Sequence, residues 1–226
     1  MNNPLSLPVS CIADQDVPKN AFYKRALPGR VAPLRQKLTD EVARIVWFYR
    51  LHPDTINLPA GKAVSEIDIF LIEQKHNDFP LTLLTDLDNL IPRPTLFLLR
   101  YGNWVRLAMR YKEFRGNDNY RPFDRIECTE LLPLTDLRLP LVGQDLDALY
   151  ATVLGTLSGW HITTLHEYRR VAECKTEIEK LQREIDALEN RIRNEKQFSL
   201  QFELNQQRNK LRRSIKQLKA LLPEPQ

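Results

Sequence analysis

The chain has 226 residues, 33 Lys and Arg against 29 Asp and Glu for a net charge of +4, and 42% hydrophobic residues. That length holds one ordinary domain of ~100 to 200 residues with an appendage and excludes two folded enzymes side by side. No run approaches the ~20 apolar residues of a membrane span, and a charge this small does not by itself argue for nucleic acid.

The opening MNNPLSLPVSCIADQDVP carries Asp14 and Asp16 where a signal peptide needs apolar residues. The cysteines, Cys11, Cys128 and Cys174, are odd in number and too scattered for a zinc knuckle or redox pair. The expectation is a cytoplasmic protein.

Residues 1–30 read as irregular, because Pro4, Pro8, Pro18 and Pro28 break any period, and Phe22 and Tyr23 pin this arm to the domain. Beyond Pro33, Leu34, Leu38, Val42, Ile45, Val46 and Tyr49 recur at helical spacing and predict one helix ending before Pro53. Two β-like runs follow: a short Thr55 to Leu58, and Ile67 to Ile72, which is apolar on both parities and reads as a buried central strand. A helix with Leu81, Leu84, Leu87 and Ile91 on one face opens after Asp78 and Pro80 and closes at Pro92 and Pro94. Thr95 to Arg100 and Trp104 to Tyr111 flank Tyr101, Gly102 and Asn103 as a hairpin. A strand near Arg125 to Leu131 and a helix from about Asp145 to Leu157 complete residues 1–160 as a mixed-sheet α+β or α/β core domain.

From Val171 through Cys174, Ile178, Leu181, Ile185, Leu188 and Ile192, and again from Leu204 through Leu211, Ile215, Leu218 and Leu222, apolar residues alternate at spacings of three and four. A seven-residue period held this long marks a helix seeking a helical partner. The seam is disturbed over Glu195 to Phe202, and the two arms have similar lengths. Residues 161–226 therefore predict an antiparallel coiled-coil hairpin bending near Lys196, with Ile192 opposite the neighbourhood of Gln201. The competing geometry is one continuous helix pairing with another chain, since neither Gly nor Pro stands at the bend.

One constellation points to chemistry. Pro53 and Asp54, a gap, then Glu73, Gln74 and Lys75 reproduce the spacing of the nuclease motif PD followed by (D/E)xK. In that chemistry Asp54 and Glu73 hold Mg²⁺ and Lys75 positions the attacking water. It requires Asp54 to face the end of the strand that carries Glu73 and Lys75. The bland reading is a turn residue after a proline and a strand exiting into solvent. No glycine-rich phosphate loop or GxSxG serine site is present, and no cofactor is expected unless the nuclease reading holds.

Charge gives a second signal. Arg208, Lys210, Arg212, Arg213, Lys216 and Lys219 lie in a stretch without an acid, whereas the preceding arm carries Glu173, Glu177, Glu179, Glu184, Asp186, Glu189 and Glu195. The arms pair by charge across their seam, or the cations touch nucleic-acid phosphates. The 100–112 hairpin also interleaves Tyr101, Trp104 and Tyr111 with Arg100, Arg106, Arg110 and Lys112, a mixture that single-strand binders and ordinary sheet surfaces share.

The blocks LTDEVARIVWFYRLHPDTINLPAGKAVSEIDIFLIEQK, LDNLIPRPTLFLLRYG and NEKQFSLQFELNQQ resemble, in this order, the bacterial Domain of Unknown Function 4391 family. The resemblance spans nearly the whole chain. It implies a small cytosolic protein encoded beside helicases and DNA methyltransferases in restriction-like or anti-phage operons, and it supplies no catalytic residues. The functional expectation is an accessory subunit that docks a helicase, methyltransferase or nuclease through its hairpin, with an Mg²⁺-dependent nuclease as the alternative; the sequence leaves the oligomeric state open.

Overall fold

The computed structural model describes residues 4–117, 119–139 and 141–223. The chain divides into two compact units, residues 1–165 and 166–225.

The first unit is a seven-stranded mixed sheet ordered β1 (Ile12–Asp16), β2 (Val42–Leu51), β3 (Ile67–Gln74), β4 (Thr95–Tyr101), β5 (Trp104–Phe114) and β6 (Tyr120–Cys128), with β7 (Leu132–Pro133) pairing β5 off this path. Every pairing is antiparallel except β3 with β4. A parallel pair needs a crossover, and α4 (Leu81–Asp88) supplies it. β3 is buried over Ile67 to Ile72, so its unbroken apolar run reflects burial on both faces. Tight β4–β5 pairing is closed by Gly102 and Asn103, with Gly102 at φ +58, a conformation glycine adopts without a Cβ clash.

Alternation along the strands sorts the core into two layers. Phe70 and Ile72 of β3, Phe97 and Leu99 of β4, and Ala108 of β5 pack with Leu34 and Leu38 of α2 (Val31–Glu41), Phe22 of α1 (Asn20–Tyr23), and Leu83, Leu84 and Leu87 of α4. Elsewhere α5 (Leu146–Ser158) lies against β5 and β6, its first turn capped by Asp145 Oδ1, which accepts from Ala148 N at 2.8 Å.

Four local expectations change. Residues 42–51 are strand, not the continuation of a helix: α2 stops at Glu41. Register shifts between Val42 and Arg44 and between Trp47 and Tyr49 upset the two-residue alternation, and the buried set Val42, Ile45, Val46 and Tyr49 then imitates helical spacing. Thr55 to Leu58 is not a strand. Pro53–Ile56 forms a single helical turn, α3, in which His52 N donates to Thr55 Oγ1 at 2.9 Å. Ile12–Asp16, inside the segment expected to be irregular, pairs with β2 through a bulge that holds Asp14 at φ 44. The strand expected near 125–131 begins earlier, at Tyr120.

In the second unit α6 (Leu165–Asn194) and α7 (Phe198–Lys219) pack together as an antiparallel hairpin. Ile185, Leu204 and Ile215 are buried on the seam, and Gln201 Nε2 donates to Ile192 O at 3.3 Å, the pairing read from the spacing. The bend is made without Gly or Pro. Gln197 takes an extended conformation (φ −86, ψ 116), and its N–H donates to Glu195 Oε1 at 2.8 Å, so a carboxylate replaces the carbonyl that a continuing helix would offer.

Candidate interaction site

The nuclease constellation does not assemble. The strand antiparallel to β3 is β2, whose start faces the end of β3: Val42 pairs Gln74, Arg44 pairs Glu73, and Leu51 pairs Ile67 at the opposite end. Asp54 follows Leu51 and Glu73 lies six residues along β3 from Ile67, so they are separated by ~20 Å at ~3.3 Å per residue. Asp54 is exposed and sits 3.1 Å from His52 Nδ1. Glu73 faces Arg100 at 4.0 Å, while Lys75 Nζ donates to Thr39 O at 2.7 Å. Among the described residues no group of three or more His, Cys, Asp or Glu is placed to hold a metal ion. Asp54 and Glu73 therefore share no Mg²⁺ site.

The hairpin mixture of β4 and β5 also separates. Tyr101 and Trp104 are exposed, but Arg110 and Lys112 are buried beneath α4. Lys112 Nζ donates to Asp88 O at the C-terminus of α4 and to Ile91 O and Arg93 O in the segment that follows, at 3.1, 2.7 and 2.8 Å, and lies 2.7 Å from Asp88 Oδ1. Arg110 Nη1 donates to Asn89 Oδ1 at 2.7 Å. Burial pushes the Asp88 carboxyl up and the Lys112 ammonium down, and their mutual attraction opposes both shifts. These cations hold α4 on the sheet and are not available to nucleic acid.

Two further polar clusters had no sequence signal. At the N-terminal end of β3, buried Glu66 pairs with Arg50 at 2.6 Å and with Arg93. Burial raises the Glu66 carboxyl, but these two guanidinium groups outweigh it and its pKa is lowered. Asp68 next to it accepts from Trp47 Nε1 at 2.9 Å and is pushed up to about 6 by burial and by Glu66. Separately, the Asp147 carboxylate of α5 accepts from three successive backbone N–H groups, of Lys62, Ala63 and Val64, at 2.8–3.2 Å. This backbone nest requires glycine beside it: a Cβ on Gly61 would stand 2.1 Å from Asp147 Oδ1 and 2.8 Å from Asp147 N.

The second unit presents what the core withholds. At the start of α7, Phe198 is 81% exposed, Phe202 55% and Leu200 39%. Large apolar side chains grouped at one end of a helical hairpin are the kind of surface that a partner covers. Of the six cations of α7, Arg212 pairs with Glu189 at 2.7 Å, and Arg208 reaches Asn209. Lys210, Arg213, Lys216 and Lys219 are exposed and make no ion pair among the described residues. One cross-arm bridge does not account for the stretch by mutual charge pairing of the arms.

A family model described as a domain of unknown function (DUF4391) matches residues 5–215. The chain belongs to this family. The match to DUF4391 takes in the sheet, α6 and most of α7, so the family's pattern includes the helical arm along with the α/β unit. No curated protein and no solved structure matches the chain.

Proposed function

We propose that this chain is a docking subunit, whose α/β unit is a rigid base and whose α6–α7 arm engages a protein partner through Phe198, Leu200 and Phe202. The observation that carries this reading is the exposure of these three side chains on an arm already satisfied along its own seam at Ile185, Leu204 and Ile215. The seam is occupied by the arm itself, so the apolar end is free for a second protein. The family resemblance supplies the setting: a restriction-like or anti-phage assembly in which the partner is a helicase, DNA methyltransferase or nuclease.

Co-purification of the tagged chain from its native operon at native expression tests the reading. The expected result is a stoichiometric partner that is lost when Phe198 and Phe202 are both changed to Ser, with thermal unfolding unchanged because neither side chain is buried. A chain that purifies alone, or protection against phage that survives deletion of residues 171–222, overturns it.

The unpaired cations of α7 favour a second contact, with nucleic-acid phosphates along Lys210, Arg213, Lys216 and Lys219. Binding of this kind falls steeply with salt, and removing four phosphate contacts flattens the log–log slope by roughly 3 to 4. Duplex or single-stranded binding with the same salt slope in the fourfold Gln variant as in the wild type rejects it.

A further inference from the structure

Between Val17 and Thr39 the chain carries Lys19, Lys24, Arg25, Arg30, Arg35 and Lys37 and no acid. Fold geometry splits five of these six by task. Lys19 Nζ donates to Val42 O, and the Arg35 guanidinium lies over the Tyr23 ring at 6.0 Å, so both are committed to the domain. Arg25, Arg30 and Lys37 instead line a surface groove of about 640 Å³ in which α2 and the turn preceding it face α4 and the residues that follow α4. Its acid is Asp86, which lies 3.7 Å from Arg30 and 3.2 Å from Lys37. Arg25 makes no ion pair among the described residues. The lining thus holds three cations against one carboxylate.

The floor of the groove is apolar. Leu34 is buried beneath it, Leu90 and Ala26 are partly buried, and Leu27 stands 72% exposed at the rim. Volume and lining fall in the range of sites that take a side chain or two of a ligand. A cationic rim alone would suit any polyanion, but a phosphate backbone gains nothing from a leucine floor. Carboxylates flanking branched aliphatic side chains match both halves at once: the acids meet Arg25, Arg30 and Lys37, and the aliphatic groups cover Leu27 and Leu34.

We infer that this groove of the α/β unit is a second docking site, for a short acidic segment of a partner protein that carries Leu- or Ile-type side chains. It is independent of the arm: loss of the apolar arm end would leave it intact.

The test is a random-peptide display library selected on the full chain, followed by titration of the labelled peptides that it enriches. The expected peptides combine Asp or Glu with Leu or Ile. Their affinity falls about tenfold with Arg25→Glu and with Leu27→Ser, and is unchanged with Phe198→Ser. Arg25 and Leu27 are exposed, and unchanged thermal unfolding of each variant confirms that binding alone was altered. An empty selection, enriched peptides without acids or without aliphatic residues, or wild-type affinity in either groove variant overturns the inference. So does competition by a single-stranded oligonucleotide at equal affinity, which would make the groove a general polyanion surface.

Discussion

At the scale of single residues the two polar clusters of the first unit make opposite demands on stability. Asp68 is a carboxyl whose pKa is raised in the folded chain, from 3.8 to about 6. Between these values the folded state holds a proton that the unfolded chain has lost, so this group's stabilising contribution is complete below pH ~4 and is lost as pH rises through ~6. The swing is at most about 3 kcal/mol. Asp68→Asn keeps an acceptor for Trp47 and removes the titration. Urea unfolding of the two chains at several pH values between 4 and 7.5 is expected to show wild-type stability falling relative to the variant as pH rises. Parallel profiles would mean that Asp68 titrates normally. Gly61 and Asp147 form a different kind of couple. Gly61→Ala pushes a methyl into the carboxylate, and Asp147→Ala strands three N–H donors. Each is expected to cost about 1–3 kcal/mol. Because both act on one clamp, a double-mutant cycle should return less than the sum, and strict additivity would refute the shared mechanism.

Elements differ in how well they could be read before they were seen. β3 was legible because five of the six positions from Ile67 to Ile72 are apolar, interrupted by Asp68 alone, and such a run admits little but a central strand. The capped start of α5 at Asp145 and the turn at Gly102 were legible because local chemistry decides both. β2 was not, since its two register shifts put Val42, Ile45, Val46 and Tyr49 into the core at spacings that a helix would also produce. That one misreading displaced the expected site: with β2 taken as helix, Asp54 had to open the strand facing Glu73. The acid-free stretch that holds Arg25 and Arg30 carried no signal as sequence, because only the packing of α4 against α2 turns it into a groove with a floor. Burial also ranks the elements. β3 and β4 are covered on both faces, whereas α7 buries only Leu204 and Ile215 along its 22 residues. Amide exchange is expected to be slowest at Ile69–Ile72 and Leu96–Leu99 and faster by orders of magnitude in α7. Equal protection in α7 and β3 would show the arm to be held by more than its seam.

For the whole molecule, a net charge of +4 conceals its own distribution. Twelve of the 33 cations lie in two acid-free stretches, 17–39 and 205–220, one in each unit, and the rest of the chain carries more acids than bases. The proposed groove site draws on the first stretch and the proposed phosphate contact on the second, and the acids elsewhere hide both from the overall composition. The bend of the arm has a consequence of another kind. Asn194, Glu195, Lys196 and Gln197 include no residue that forbids a helix, and what breaks α6 from α7 is the Glu195 side chain accepting from Gln197 N. A hinge held by one side chain is a hinge that can straighten. If it does, α7 of one copy can lie along α6 of another, and Ile185, Leu204 and Ile215 meet the same neighbours as before. Closed monomer and reciprocally exchanged dimer then differ by little more than the hinge and the protein concentration. Glu195→Ala should shift the balance toward exchange, seen as a larger dimer fraction by light scattering, with crosslinks between positions 189 and 212 passing from within chains to between them. A variant that stays monomeric at high concentration would place the stability of the bend elsewhere.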